Sequence, residues 1–367
     1  MSILRSLLGM MACFCLAMCS PGCQKTFRHA GAVNMGGGMD IDGDVNLSGG
    51  MEMGGELATR IKLPSDARVS PLTPTCVDGE IGQRSKIAIL DVDDLLVERT
   101  PSGLGGSGEN AVSLFREKID MVIGDENIRA VVLRINSPGG GVTASDVMAS
   151  ELQRLKSKRD IPVATCILDV GTGGAYYLAC HTDAVFAHPT SLVGGIGVIL
   201  NVYNLQDTMG QFNVLASTIK SGEMIDAGTP QRPLEDSEME VLQKIADQFH
   251  ARFIDVVVQR RPLTGTSRET WADGRVMTGS EAKELGLVDE VGYIDAALDW
   301  ARQASGLPSS APAMLYRRKD QLAFTPLDAL GTSTFAPSLI PLSIPGLQRS
   351  KMPTFLYLWQ AEPTAVP

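Results

Sequence analysis

Several things are scarce in this chain, and each scarcity excludes a class of chemistry. Histidine occurs four times in 367 residues and aromatics make up 5%. His181, His188 and His250 stand in no recognisable catalytic context, so a histidine-based nucleophilic site is not expected. Seven cysteines are present, but Cys13, Cys15, Cys19 and Cys23 crowd the N-terminus, which leaves Cys76, Cys166 and Cys180. None forms a CxxC pair or a Cys/His set with metal-ligand spacing, so neither a metal nor a cofactor is expected. Cys166 and Cys180 lie in apolar contexts and read as small core residues. Basic clusters are missing too. The longest, Arg317-Arg318-Lys319, is too short to hold a phosphate backbone, and the net charge of −10 argues against a nucleic-acid partner. No internal repeat of useful length occurs.

What is present begins with a leader. Arg5 precedes an apolar run from Leu7 to Met18, followed by small residues and Cys23. The run is too short to prefer a spanning helix and has the three-part plan of a secretory signal. Ser20-Pro-Gly-Cys23 resembles a bacterial lipoprotein site in which Cys23 is lipidated; Cys19 offers a competing position. The expectation is an exported protein, anchored to the extracytoplasmic side of a bacterial envelope membrane. Residues 1–23 are the signal peptide and 24–84, rich in Gly, Met, Asp and Pro, read as a flexible linker. Asp40-Ile-Asp-Gly-Asp44 lacks the rest of a calcium loop and reads as acidic linker.

The folded domain is expected over 85–306. Buried strands are predicted at Ile87–Val92, Ala130–Ile135 and Pro162–Leu168, a short strand at Asp183–Ala187 and a further strand at Val214–Ile219. Helical spacing is present over Ala111–Ile123, from Thr143, over Leu234–Arg260, after Thr278 and over Ile294–Ala304. Thr143 with Asp146, and Thr278 with Glu281, have capping-box spacing. Strands alternating with helices give an α/β domain with a largely parallel sheet. Residues 307–367 form a Pro- and Ser-rich extension with no period. Phe355-Leu-Tyr-Leu-Trp359 within it is compatible with a late strand or an apolar docking tail.

The chain centres on Asp169-Val-Gly-Thr-Gly-Gly-Ala-Tyr-Tyr177. A strand leads in, glycines permit a tight turn, and a short apolar helix leads out. Many hydrolases hold a nucleophile on such a unit. Here the turn contains no serine.

Seven blocks in order resemble one family, the signal peptide peptidase A (protease IV) family of serine peptidases. They are Leu133-Arg-Ile-Asn-Ser-Pro-Gly-Gly140, Val142-Thr-Ala-Ser145, Asp169-Val with Gly174 and Tyr176-Tyr177, Val193-Gly-Gly-Ile-Gly-Val198, Ile219-Lys-Ser-Gly222, Ala272-Asp-Gly-Arg-Val-Met-Thr-Gly279 and Glu284-Leu-Gly-Leu-Val-Asp-Glu290. The resemblance covers roughly residues 86–304. It implies a Clp-protease/crotonase-like fold of repeated β-β-α units. It also implies peptide or unfolded-protein substrates, a homo-oligomer, and Ser–Lys chemistry in which a lysine, neutral through burial, takes the serine proton. Lys220 falls on the family's general base. Gly139, Gly140 and Gly174 match its oxyanion and substrate-binding loop, where glycine lets backbone donors approach.

The family's serine falls on Gly173, which has no side chain. Thr172 supplies a hydroxyl one residue early, but one helical position turns a side chain by about 100°, and a β-branched nucleophile is stiff. Two outcomes stay open: atypical hydrolysis by Thr172 with Lys220, or loss of hydrolysis in a peptide-binding or scaffolding relative. The geometry favours loss. Ser137 and Ser221 are the other nearby hydroxyls, with Ser137 expected to hold a turn. An acyl-CoA enzyme on the same fold is disfavoured, because Asn136-Ser-Pro-Gly-Gly140 and Lys220-Ser-Gly222 side with the peptidase branch.

Overall fold

The computed structural model describes residues 70–98, 102–103, 106–107, 109–264, 267–319, 321–328 and 355–359. The chain divides into two compact units, Met1–Arg68 and Val69–Pro367, and every described residue lies in the second. The leader, Cys19, Cys23 and Asp40–Asp44 therefore lie outside the described residues.

A nine-stranded sheet forms the frame. Its strands are β1 (Leu72–Asp78), β2 (Lys86–Asp93), β3 (Ile128–Ser137), β5 (Val163–Thr172), β6 (Ala184–Ala187), β7 (Leu192–Gly194), β8 (Val276–Thr278), β9 (Glu290–Val291) and β10 (Ala313–Arg318). A short strand outside this sheet, β4 (Gly139–Gly141), follows β3. The order is β1-β10-β2-β3-β5-β6-β9, with β7 pairing β5 and β8. Pairs β10–β2, β2–β3, β3–β5, β5–β6, β5–β7 and β6–β9 run parallel, while β1–β10 and β7–β8 run antiparallel. The α/β class with a largely parallel sheet is as expected.

The central strands read as continuous apolar runs because both faces are covered. Along β2, Ala88, Leu90 and Val92 face one core, while Ile87 and Ile89 face the other. Along β3, Val131, Leu133 and Ile135 alternate with Ala130 and Val132 in the same way. The first core also takes α1 (Ala111–Gly124), α2 (Val142–Lys158), α3 (Gly174–Ala179) and α5 (Asp236–Arg260). The second takes α7 (Ile294–Ala304). The short α4 (Gln206–Gln211) has no buried residue, and α6 (Gly279–Glu284) buries Gly279 and Ala282.

Several expectations need correction. The linker expected through residue 84 ends earlier, since Leu72–Asp78 pairs with Ala313–Arg318 in the extension expected to start at 307. Each strand satisfies the other's backbone groups, and neither has a sharp apolar period because each lies near the sheet edge. The strand expected at Val214–Ile219 does not form; these residues are exposed and without regular structure. The Thr143 cap is also absent. Gly141 is the N-cap of α2 with no side-chain cap bond, and Ser145 donates to the Gly141 carbonyl instead. Thr278 does cap, accepting from the Glu281 N–H at 3.3 Å. A cap unforeseen from sequence, Glu235 with Glu238, opens the longest helix among the described residues. Cys166 and Cys180 are buried free thiols as expected, and burial pushes both up to about 12.

At the carboxyl ends of β2, β3 and β10 lies a buried charge cluster. Asp91 accepts from Arg134 Nε at 2.7 Å and from Arg317 Nε at 2.8 Å. Lys118 Nζ donates to the Asp91 carbonyl at 2.8 Å. Both arginines also donate to the Asp328 carbonyl, which ties the segment after β10 to the sheet. Removing the shared carboxylate strands two buried cations, and that penalty is about 3–5 kcal/mol. Asp91→Ala is therefore expected to lower the urea unfolding free energy by about that amount, whereas exposed Arg275→Ala should change it by less than about 1 kcal/mol.

Asp93 is on the same strand with Oδ2 lacking a partner among the described residues. Burial first, and then the negative charge of Asp91, push its carboxyl up to about 7 from 3.8. The folded state thus holds a proton that the unfolded state releases. That contribution to stability is fully present below 3.8 and is lost as pH rises through about 7. The stability difference between the natural chain and Asp93→Asn should fall over this window, measured by denaturant titration at stepped pH. A flat difference would contradict the assignment.

Candidate peptide-binding groove

The site is assembled at the carboxyl ends of β3 and β5. After β3, Ser137 donates to the Asp94 carbonyl and accepts from the Gly139 N–H at 3.1 Å. Its hydroxyl holds the turn, as expected, and it is fully buried. The turn delivers β4 against Leu96, with the Leu96 N–H donating to the Gly139 carbonyl and the Gly141 N–H donating to the Leu96 carbonyl, each at 2.9 Å. A β-carbon at Gly140 would stand 2.1 Å from the Leu96 carbonyl oxygen, so glycine is required there.

Beside it, β5 turns into α3 at Gly173, with φ 53° and ψ −126°. The positive φ disfavours any residue with a β-carbon. The Gly173 N–H donates to the Gly194 carbonyl and its carbonyl accepts from the Tyr177 N–H, both at 2.9 Å. A β-carbon at Gly174 would come within 2.0 Å of Ser145 Oγ. The structure thus brings Gly139, Gly140, Gly173 and Gly174 together.

A fifth piece fills the space between them. Residues Leu356–Leu358 form β11, antiparallel to β4, with Leu356, Tyr357 and Leu358 opposite Gly141, Gly140 and Gly139. Its other edge meets Ile199, and the two residues exchange both backbone hydrogen bonds at 3.0 Å. The Val142 N–H donates to the Phe355 carbonyl and the Trp359 N–H donates to the Pro138 carbonyl, each at 3.2 Å. The Tyr357–Leu358 peptide lies over Gly173. A β-carbon there would be 2.3 Å from the Tyr357 carbonyl oxygen, 2.7 Å from its carbonyl carbon and 3.0 Å from the Leu358 nitrogen. One at Gly139 would be 2.1 Å from the same oxygen.

The Tyr357 side chain is fully buried. Its ring stacks on Tyr177 at 5.5 Å between centroids and tilts against Phe253 at 4.8 Å. Its hydroxyl donates to the Phe249 carbonyl at 2.7 Å. Behind this pocket, Asp146 accepts from Tyr177 Oη at 2.8 Å and Arg252 Nη2 at 2.7 Å. Burial works against the Asp146 carboxylate, but the hydrogen bonds from Arg252 and Tyr177 outweigh it and hold the carboxyl below its ordinary value.

The side chains of the two dyad candidates, Thr172 and Lys220, are both hydrogen-bonded to other groups. Thr172 is fully buried, and its hydroxyl donates to the Pro138 carbonyl at 3.2 Å. Lys220 lies in the exposed 212–225 stretch, donating to Asp226 Oδ1 at 2.8 Å and to the Glu223 carbonyl at 3.0 Å. Of the two histidines nearest the groove, His181 pairs with the Tyr177 carbonyl and His250 with the Ile196 carbonyl. No cluster of metal-ligating side chains occurs among the described residues. Sequence reasoning missed Tyr177, Phe253, Ile199 and Tyr357 as groove residues. The only signal for the last of these was the apolar run Phe355–Trp359 within the Pro- and Ser-rich extension.

The model of peptidase family S49 matches residues 155–308. The chain is 32% identical over 220 residues to a putative signal peptide peptidase SppA of Enterococcus faecium, covering 60% of this chain and 64% of that protein. It is 32% identical over 232 residues to the chloroplastic serine protease SPPA of Arabidopsis thaliana, covering 63% of this chain and 34% of the other. To protease 4 of Haemophilus influenzae it is 26% identical over 219 residues, 60% of this chain and 35% of that one. The chain thus spans less than two thirds of the length of each of these relatives.

The packing at Gly174 makes a direct prediction. Gly174→Ala must push Ser145 aside and should destabilise the fold by about 1–3 kcal/mol, the usual cost of overpacking. Gly222, with nothing within 4 Å of an added β-carbon, should accept alanine with a change inside about ±0.5 kcal/mol. Thermal unfolding of the two variants side by side checks this.

Proposed function

The chain belongs to the signal peptide peptidase A/protease IV family, peptidase family S49, and from that membership we propose that it binds extended peptide segments without hydrolysing them by the family's dyad. The observation that carries this reading is Gly173. It stands at the strand-to-helix turn where the family's serine falls, and the space of its missing side chain is filled by a peptide bond. Reacting atoms approach to about 3–3.5 Å before attack. A β-carbon alone, still one bond short of a hydroxyl, would already be inside that range of the Tyr357 carbonyl carbon.

The buried, engaged hydroxyl of Thr172 argues against its use as a substitute nucleophile. Gly139, Gly140 and Gly174 act in this reading as a cradle for a peptide main chain, and Lys220 as a surface cation paired with Asp226. The ligand class is a peptide or an unfolded protein segment. The exposed apolar side chains Phe212, Leu215, Ile219 and Ile225 flank Lys220, which supports a homo-oligomer in which a second copy covers them. The leader supports export and anchoring at the extracytoplasmic face of a membrane, through Cys23 or Cys19. No helix among the described residues is long and apolar enough to cross a membrane.

The test is turnover. The intact chain and its Lys220→Ala variant are incubated with an unfolded protein and a panel of fluorogenic peptides. No hydrolysis above buffer is expected from either. Hydrolysis by the intact chain that Lys220→Ala abolishes would overturn the reading and return Thr172 to the role of nucleophile.

A further inference from the structure

We propose that the loop after β10 is a lipid-facing lip, with Leu322, Phe324 and Leu327 inserting into the surface of the membrane to which the leader anchors the chain. The inference rests on the anchoring reading above and names the part of the folded domain that meets the bilayer. Four observations converge on it.

The first is an apolar tip held in the open. Leu322 and Phe324 are each 75% exposed and Leu327 is 66% exposed. The backbone that carries them is pinned. The Asp328 carboxylate accepts from the Phe324 N–H at 2.6 Å and from the Thr325 N–H at 2.7 Å. The Asp328 N–H donates back to the Thr325 carbonyl at 3.2 Å and closes the turn.

The second is how the loop divides its groups. Arg134 donates to the Pro326 and Asp328 carbonyls, and Arg317 donates to the Asp328 carbonyl as well. Ala323 is buried and packs into the second core. The loop therefore spends backbone carbonyls on the charge cluster around Asp91 and turns its three largest apolar side chains outward. A segment that enters lipid needs this division, since a backbone polar group without a partner is costly there.

The third is position relative to the anchor. The Lys319 N–H donates to the Pro71 carbonyl at 3.2 Å, and Arg318 Nη1 donates to the Ser70 carbonyl at 3.1 Å. The chain that arrives from the leader thus enters the domain at the base of this loop. An anchor upstream of Ser70 brings the lip to the membrane.

The fourth is size, which selects the occupant. Three side chains on one loop fall short of the about 800 Å² per partner that a stable protein interface buries. A bilayer needs no matching surface, and each apolar side chain that enters it adds its own transfer free energy. Arg318 at the base is already paired with Glu109 and Glu117, so apolar transfer drives the contact.

The experiment uses the full-length chain and vesicles of phosphatidylethanolamine and phosphatidylglycerol, with or without brominated acyl chains. Phe324→Trp places a fluorescent reporter on the lip. Ile81→Trp is the control, likewise exposed but beyond the opposite end of β1. The emission of the intact chain's own tryptophans is subtracted. With vesicles present, the Phe324→Trp emission should move to shorter wavelength and be quenched by the brominated lipid, and the Ile81→Trp emission should do neither. Phe324→Asp combined with Leu327→Asp should lower the vesicle partition coefficient at least ~10-fold, the effect of withholding about one buried apolar side chain. Both positions are exposed, and circular dichroism melts establish that the variant is folded. A chain that floats with vesicles while its Phe324→Trp emission stays unquenched overturns the inference and leaves the anchoring standing. A chain that does not float overturns the anchoring reading, and this inference with it. Emission at the shorter wavelength before lipid is added would mean that protein covers the loop, from this chain or a second copy, and overturns the lipid assignment. Equal quenching at positions 324 and 81 overturns the lip as the inserting part.

Discussion

A single steric fact organises the site: no β-carbon fits at Gly139 or Gly173 while the Tyr357 carbonyl lies between them. Everything nearby follows from that close approach. β4 can pair with β11 on one side only because its glycines let Leu96 press against it on the other. The turn at Gly173 adopts a positive φ without strain because glycine carries no side chain. The Tyr357–Leu358 peptide bond fills the space that a side chain at Gly173 would take.

The sheet and its charge cluster make that approach reproducible. β3 and β5 lie side by side and in parallel, so their carboxyl ends bring the Ser137–Gly140 turn and the Thr172–Gly174 turn to one place. Asp91, Arg134 and Arg317 brace the neighbouring strand ends. Ser137 and Thr172, both hydroxyl residues beside the groove, spend their hydroxyls on the backbone of the loops that shape it. That use of polar groups is structural, and it leaves no free hydroxyl from either residue facing the Tyr357 carbonyl.

Much of the frame could be read from the residues. The runs 87–92, 130–135 and 162–168 became buried parallel strands because apolar side chains on both faces admit no other placement. The helix over Ile294–Ala304 lies where its period put it. The glycines at 139, 140, 173 and 174 were legible as backbone-approach positions. The strands Leu72–Asp78 and Ala313–Arg318 were not, since they find each other across the whole domain and sequence period carries no trace of such a pairing. The expected strand at 214–219 failed for the converse reason: its apolar residues have no partner surface among the described residues. Most consequential was Phe355–Trp359. Its apolar character was visible, but its destination depended on a groove formed by residues more than a hundred positions earlier.

The account stands or falls on whether the groove is filled in solution, and amide hydrogen exchange on the intact chain reads this directly. The Leu356 and Trp359 N–H groups donate to Ile199 and Pro138. They should exchange far more slowly than an unstructured peptide of the same sequence, and Gly173→Ala should abolish that protection while the central strands keep theirs. Exchange of both amides at the unstructured rate in the natural chain would contradict the central claim.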